Sequence, residues 1–241
     1  MTIWRWAWLG WGCCAMVQAA PAPFVCGVAE GFAPYQYRDA RGEPAGLDIE
    51  VARLVFAQLP RELRLRQGRW DDMLSSMAFR VGLVDGLCGA EITPERARRF
   101  IFSKPYAWRR SMLFVLHDSP VRHVPDLYGK VVTGDWQSYT EAALGEQRGR
   151  IRLLRTASKE TSFRLLSEGK VAGVIAPEAV GASMGRKLGL QLRTLDLGDD
   201  GTPVGFLLQK EDTATREAID AALQRLIDNG MLAALLRRYL R

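Results

Sequence analysis

Residues 181–185 form the pattern in this chain that most resembles a catalytic motif. They read Gly-Ala-Ser-Met-Gly and match G-x-S-x-G, in which a serine on a sharp strand-to-helix turn attacks an acyl group. That chemistry needs a histidine later in the chain, whereas His117 and His123 both precede the serine. The motif therefore does not predict a hydrolase.

The charge of the chain does not indicate a nucleic-acid partner. The 241 residues carry a formal charge of +6, and 48% of them are hydrophobic, enough for one large core or two modest ones. Nucleic-acid binding is typical of basic stripes with interleaved aromatic residues, and here acids interrupt the basic residues. The scattered arginines are Arg61, Arg64, Arg66, Arg96, Arg98, Arg99, Arg148, Arg150, Arg152, Arg237 and Arg238.

Residues 1–19 have the features of a secretory signal peptide. Arg5 precedes an uncharged apolar stretch, and small residues lie around Ala19, where a signal peptidase would cut. A membrane anchor is the alternative. However, the uncharged run is shorter than the roughly 20 residues of a spanning helix, and Pro21 and Pro23 follow it. We expect a secreted protein, cleaved near Ala19.

Cleavage would leave Cys26 and Cys88 as the cysteines of the mature chain. An oxidising compartment permits a disulfide between them, but two small buried strand residues explain them equally well. Neither these cysteines nor the two histidines have the spacing of zinc ligands. We therefore expect no metal and no cofactor, and the disulfide stays an open question.

Apolar runs and amphipathic segments alternate along the mature chain, as in α/β proteins. The spacing predicts strands at 24–28, 63–66 and 84–88 and helices at 47–59 and 73–79, a β-α-β-α-β unit with a parallel sheet. The alternation resumes after Gly129. It predicts strands at 131–133, 151–154, 173–176 and 190–195 and helices at 138–144, 159–168 and 178–188.

Two extended segments, 111–116 and 204–208, are expected to be the crossings between the two units. The last stretch, 213–239, has amphipathic helical spacing that is interrupted at Asn229-Gly230. We expect this stretch to pack back on the first unit.

Seven short motifs occur in the order and spacing of one protein family. They are FAPY (32–35), GLDIEVA (46–52), WD (70–71), ITPER (92–96), FSKPY (102–106), LSEGK (166–170) and DNG (228–230). Over residues 24–240 the chain resembles the polar amino acid-binding (family 3) periplasmic solute-binding proteins. The resemblance implies a type II periplasmic-binding-protein fold, in which two Rossmann-like lobes are joined by two crossing strands and close on a ligand by hinge motion.

The resemblance also implies the function. It predicts a periplasmic monomer that performs no chemistry and delivers a small polar molecule to the permease of an ABC importer. The first lobe would comprise 20–109 and 204–241, and the second lobe 110–203.

The resemblance further implies which residues of the first lobe bind the ligand. Phe32 and Trp70 are expected to form walls, and Gly89 to lie beside them at the end of a strand. Arg96 is expected to clamp a ligand carboxylate, because the guanidinium fork forms bidentate hydrogen bonds. Core packing is the alternative for the two aromatic residues, and a solvated helix position is the alternative for Arg96.

Ser138 would bind the ligand from the second lobe, at the amino terminus of the helix predicted there. Such a terminus carries free N–H groups and partial positive charge, so an anionic ligand group is favoured there. A helix cap without a ligand role is the alternative.

Two residues depart from the pattern of the amino acid binders. Glu91 stands where the family usually has a serine or threonine, and Pro177 stands where many members have the aspartate that holds the ligand's amino group. Glu178 is a partial replacement for that aspartate, or simply begins the next helix. We therefore expect that the ligand is not an ordinary α-amino acid held in the usual way, and that a cationic or polyhydroxylated ligand would suit Glu91.

Two other functions remain open for this fold. A dehydratase-like periplasmic enzyme would use cleft carboxylates such as Glu91 and Glu178 as general acid and base. A non-transport partner would dock to a sensor or to a periplasmic enzyme, since a fold by itself does not fix function.

Overall fold

The structure is a computed structural model that describes residues 21–135, 144 and 149–240. The predicted signal peptide and its cleavage site at Ala19 lie outside the described residues, and so does Ser138. The helix predicted at 138–144 also lies outside them, apart from Leu144. Within the described residues, no helix combines the length and the hydropathy needed to cross a membrane.

The described elements follow the predicted ones to within a few residues. Up to residue 109 they are β1 (Phe24–Ala29), β2 (Tyr37–Arg38), β3 (Pro44–Ala45), α1 (Leu47–Phe56), β4 (Leu63–Gly68), α2 (Trp70–Phe79), β5 (Gly86–Glu91), α3 (Pro94–Arg99), β6 (Ile101–Phe102) and β7 (Ala107–Arg109). After residue 110 they are β8 (Ser111–Leu116), a 3₁₀ helix (Val124–Leu127), β9 (Val131–Asp135), β10 (Arg152–Thr156), α4 (Lys159–Ser167), β11 (Gly173–Pro177), α5 (Glu178–Leu188), β12 (Leu192–Asp196), β13 (Thr202–Leu208), α6 (Thr213–Asp228) and α7 (Met231–Leu240).

The first sheet is built around β1 and β5, which are almost entirely buried. Its strand order is β4-β1-β5-β13-β6, and β7 also pairs with β13. β1 runs parallel to β4 and β5, as the β-α-β pattern predicts, whereas β13 returns antiparallel to β5. Helices can therefore pack on both faces of this sheet. The buried apolar side of α1 belongs to the same hydrophobic core as β1 and β5.

The second sheet repeats this plan with the order β10-β9-β11-β8-β12. β9 is parallel to β10 and β11, and β8 is antiparallel to β11 and β12. The apolar sides of this sheet contribute to two further clusters of buried residues, one of which includes Phe163 of α4 and Met184 of α5. The predicted fold class, two α/β lobes of the type II binding-protein fold, is confirmed.

The two extended segments expected as crossings are strands within the sheets. Residues 111–116 form β8 of the second sheet, and residues 204–208 belong to β13 of the first sheet, which begins at Thr202. The chain passes between the sheets at Arg110 and again between Asp196 and Thr202. The expectation was wrong because a crossing needs only a few residues, whereas a long apolar run is more stable inside a sheet.

The carboxyl-terminal helices pack on the first lobe, as predicted. Leu223 of α6 and Leu232 of α7 belong to the same buried core as β1 and β5. The break between the helices is at Gly230, whose φ of 74° lies in the left-handed region. The lobe therefore closes on residues from both ends of the described chain.

Cys26 and Cys88 form a disulfide between β1 and β5. Their Cα atoms are 5.9 Å apart, within the usual range for a bridge, although the two strands are parallel neighbours. Each cysteine is the third residue of its six-residue strand, and Cys88 directly precedes Gly89. The question that the sequence left open is answered by this pairing.

Candidate ligand-binding site

A small cavity lies at the carboxyl ends of β1 and β5, where open parallel sheets place their ligands. Its volume is about 10 Å³, roughly the space for one water molecule. A larger ligand can enter only when side chains or lobes move apart. The lining residues are Ala29, Phe32, Gln36, Trp70, Gly89, Glu91, Arg96 and Arg109, which include five of the eight residues predicted for the site.

Arg96 reaches the cavity from the first turn of α3. Thr93 caps this helix, since its Oγ1 accepts a hydrogen bond from the Arg96 amide at 3.3 Å. The Arg96 guanidinium donates Nη1–H to the Glu91 carbonyl at 3.0 Å, and its Cζ lies 5.4 Å from the Trp70 ring centroid. Arg99, on the same helix, is exposed and points to the Ala78 carbonyl instead.

Burial lowers the pKa of Arg96 below its ordinary value, and the charge of Arg109 acts in the same direction. The Glu91 carboxylate opposes this effect and favours the charged guanidinium. Glu91 is therefore an electrostatic partner of Arg96 as well as its backbone acceptor.

Phe32 and Trp70 are both cavity wall and core. Each is at most 5% exposed and belongs to the buried cluster of the first lobe. Phe32 packs against Tyr35, with ring centroids 5.7 Å apart, while Trp70 is the first residue of α2. Cavity wall and core packing, the two alternatives left open by the sequence, are therefore not exclusive for these residues.

A buried ion pair that the sequence analysis missed lies beneath the cavity. Asp48 of α1 and Arg109 of β7 pair through the Asp48 Oδ2 and the Arg109 Nη2, and they are 0% and 4% exposed. Asp48 Oδ1 also accepts from the Tyr106 hydroxyl at 2.8 Å, and Oδ2 accepts from Gln36 Nε2 at 2.6 Å. A buried carboxylate with this many donors has its desolvation well compensated.

Arg109 has several further contacts within the first lobe. Its Nη1 donates to the Gly89 carbonyl at 3.1 Å, and its Cζ lies 4.3 Å from the Tyr35 ring centroid and 5.2 Å from that of Phe32. Burial lowers its pKa, but the carboxylates of Asp48 and Glu91 outweigh burial and raise the pKa above its ordinary value. Arg109 thus stays charged inside the protein.

Gly89 is required by the close approach of this network. Its φ is +77°, and a Cβ atom there would lie 2.2 Å from Asp48 Oδ2 and 2.6 Å from Gln36 Nε2. No side chain fits that space without moving the buried pair. The prediction from sequence named this residue, and the contacts give the physical reason for a glycine.

Three buried polar atoms of the cavity residues have no partner within the described structure. They are Glu91 Oε2, Trp70 Nε1 and Arg109 Nε. Buried polar groups are nearly always hydrogen-bonded, so each of these atoms needs an explanation. Their clustering around one cavity is the pattern expected where a ligand completes the hydrogen bonding.

Among the described residues predicted for the site, Pro177 and Glu178 do not line this cavity. Pro177 ends β11 and pairs with Ser111 of β8. Glu178 begins α5, is exposed and lines a separate cavity of about 290 Å³ beside Trp108 and Tyr239. Ser138 lies outside the described residues.

The cavity borders the space between the lobes. Glu30, Gly31 and Arg69, which are chain neighbours of residues lining the first cavity, line a second cavity of about 160 Å³. The other side of that second cavity comes from the start of α4 in the second lobe, including Ser158. Within the described residues, no cluster of three or more histidine, cysteine or acidic side chains could hold a metal ion.

Residues 24–241 match the family model of the bacterial extracellular solute-binding proteins, family 3. The chain is 24% identical over 209 residues to ABC transporter arginine-binding protein 1 of Escherichia coli K12, with 85% of each chain covered. Two solved structures share the fold. A histidine kinase sensor domain with similarity to periplasmic binding proteins has a TM-score of 0.82 at 24% identity, with 90% of this chain and 96% of that chain covered. The ancestral amino acid-binding protein AncCDT-1, a precursor of cyclohexadienyl dehydratase, has a TM-score of 0.80 at 21% identity, with 91% and 96% covered.

This chain belongs to the bacterial extracellular solute-binding proteins of family 3, because the family model matches nearly all of it. It is a solute-binding protein of the ABC-importer type that takes a small polar ligand between two lobes.

Proposed function

We propose that the protein captures a small molecule that carries both a carboxylate and an amino group. The observation that carries this proposal is the pair of opposite charges, Arg96 and Glu91, on the wall of one cavity. Arg96 would hold the carboxylate through charge-assisted hydrogen bonds. Glu91 Oε2, buried and without a partner, would accept from the amino group.

This assignment differs from the ligand expected from the sequence. Glu91 beside Arg96 suggested a cationic or polyhydroxylated ligand, but Arg109 adds a second guanidinium to the same cavity. A purely cationic ligand would meet two like charges there, whereas a zwitterion finds a partner for each of its charges. An ammonium about 4 Å from Glu91 gains roughly 4 kcal/mol at an effective dielectric near 20, and a carboxylate at Arg96 gains a similar amount.

Both charged contacts would then come from the first lobe. Pro177 offers no carboxylate to the ligand's amino group, and Glu91 takes over that task from the opposite side of the cleft. The second lobe would contribute uncharged donors, and Ser138, which the sequence predicts at a helix amino terminus, is the proposed residue. The ligand is thus held in an orientation unlike that of the usual amino acid binders.

The proposed cellular setting rests on the family and on the signal peptide predicted from the sequence. After cleavage near Ala19, a monomer in the periplasm would deliver its ligand to the permease of an ABC importer. The relation to an importer-associated arginine-binding protein supports this partner.

A dehydratase-like enzyme is the less favoured alternative. Such an enzyme would need an acid and a base on the same substrate, and Glu178 lines a different cavity from Glu91. The fold shared with a histidine kinase sensor domain supports a second alternative, a sensor partner. Uptake of labelled ligand that is lost on deletion of the gene would favour transport over sensing.

A ligand panel tests the proposal directly. The mature protein is screened by thermal shift against the twenty amino acids, small organic acids, polyamines and sugars, and every hit is measured by calorimetry. We expect a stoichiometric hit among zwitterions without a cationic side chain. Binding confined to polyamines or sugars would refute the proposed ligand class.

A further inference from the structure

The Arg109 guanidinium occupies one corner of the candidate ligand cavity. Around it are the Asp48 carboxylate, the Gly89 carbonyl at 3.1 Å from Nη1, and the ring faces of Tyr35 and Phe32. A carboxylate, a carbonyl and aromatic faces are the groups by which proteins recognise free organic cations. We propose that Arg109 is a specificity-determining residue that fills a cation subsite from within, so that the protein rejects ligands with a cationic side chain.

The corner is built to hold a cation whether or not Arg109 supplies it. Asp48 is fully buried, and its other partners, the Tyr106 hydroxyl and the Gln36 amide, are uncharged. Gln36 is itself fixed by the Ala29 amide, which donates to its Oε1 at 2.5 Å. Among the described residues, Arg109 is the partner that forms an ion pair with Asp48. Removal of its side chain therefore leaves a formed anionic pocket.

The position of Arg109 in the fold explains how it excludes ligands with a cationic side chain. It lies on β7, the last strand before the chain passes to the second lobe, and it lines the cavity from there. Arg109 also takes one of the two acceptor positions of the Gly89 carbonyl, whose other donor is Gln36 Nε2 at 3.2 Å, so that this position is not open to a ligand cation. Arginine, the ligand named for the Escherichia coli relative, would have to place its guanidinium against Arg109.

Chemical rescue tests whether the corner is a cation site. Arg109→Ala deletes the atoms of an N-ethylguanidinium ion, so that ion is the matched probe. We expect ethylguanidinium to raise the Tm of Arg109→Ala by roughly 3–6 °C at ten times its dissociation constant. N-ethylurea, which has the same shape and no charge, should not raise it, and neither compound should stabilise the wild type.

Two variants serve as controls. Arg110→Ala removes the neighbouring guanidinium, which pairs with Asp196 at the surface, and should show no rescue. The double variant Asp48→Asn/Arg109→Ala keeps the cavity but removes its charge, and should lose the preference for ethylguanidinium over ethylurea. Equal responses of Arg109→Ala and Arg110→Ala would overturn the proposal. If Arg109→Ala does not fold alone, its refolding yield with each compound gives the same comparison, and no gain with ethylguanidinium again overturns it.

Calorimetry with arginine tests the consequence for specificity. We expect no saturable binding to the wild type and measurable binding to Arg109→Ala. This inference refines the proposed ligand class, yet the two fail separately. Micromolar arginine binding by the wild type would refute the specificity role of Arg109 and leave the proposed capture of amino acids standing. Rescue by ethylguanidinium without any amino acid ligand would support the cation subsite and refute the proposed ligand class.

Discussion

At the scale of single residues, the site depends on a difference between arginines that look alike in the sequence. Arg96 and Arg99 lie on one short helix, but the first faces the cavity and Trp70 and the second faces solvent. We therefore expect different roles for the two arginines, on the basis of their burial and neighbours rather than of residue type.

The first prediction compares these two arginines. Arg96→Ala should weaken binding of any carboxylate ligand by roughly 1.5–3 kcal/mol, about ten to over a hundredfold, because a charge-assisted pair is lost. Arg99→Ala serves as the control and should leave affinity unchanged. Calorimetry with a ligand from the panel decides the matter, and equal affinities would remove Arg96 from the site.

The second prediction concerns Gly89. Gly89→Ala should cost the left-handed strain of roughly 1–2 kcal/mol and a further 1–3 kcal/mol for the clash with Asp48. Gly31→Ala is the matched control, since Gly31 has a φ of 71° and open space around its Cα. Urea denaturation measures the free energy of unfolding of both variants. Similar losses of stability would mean that Asp48 and Gln36 move away from the new Cβ atom at little cost.

The sequence predicted the site residues only in part, for reasons that these residues make plain. Arg96 and Glu91 were named through the resemblance to the family, because Arg96 ends the ITPER motif and Glu91 directly precedes it. Arg109 was missed because it is adjacent to another arginine, Arg110, and the sequence does not show which of the two is buried. The burial of Arg109 follows from the alternation along β7, in which Ala107 is buried, Trp108 is exposed and Arg109 is buried. Asp48 lay inside a noted motif, but a partner 61 residues away cannot be read from sequence.

At the scale of elements, periodicity predicted the strands and helices well because buried parallel strands and amphipathic helices differ strongly in pattern. It failed at the crossings, where apolar runs of strand length looked like connections. The short strand β7 was not predicted, since three residues carry too little pattern for either period.

The third prediction concerns the disulfide between β1 and β5. Replacing both Cys26 and Cys88 by alanine should lower the free energy of unfolding by roughly 2–4 kcal/mol, since the bond closes a loop of 62 residues in the unfolded chain. Urea denaturation monitored by circular dichroism measures this. The wild type in reductant should match the double variant, and a reductant-insensitive wild type would show that the bond contributes nothing.

At the scale of the whole molecule, the small volume of the candidate ligand cavity implies that binding of an amino acid there requires motion. A cavity with room for about one water molecule cannot admit an amino acid unless the lobes or their side chains separate first. The chain passes between the sheets at two short connections, an arrangement that suits a hinge.

The fourth prediction follows from this hinge. Small-angle scattering should show a more compact particle when a true ligand saturates the protein, because closure brings the lobes together. Arg96→Ala at the same ligand concentration should keep the profile of the free protein. An unchanged wild-type profile at saturation would count against hinge closure.

The alternation along β7 has an optical consequence. Arg109 faces the ligand cavity, while its neighbour Trp108 is 58% exposed and lines the cavity between α5 of the second lobe and α7 of the first. Beyond residue 19 the chain contains Trp70, Trp108 and Trp136. We therefore expect the fluorescence emission of Trp108 to depend on how closely α5 and α7 approach it. Ligand binding should shift the emission maximum, and Trp108→Phe should abolish the part of the shift that comes from lobe movement while leaving the part that arises at Trp70.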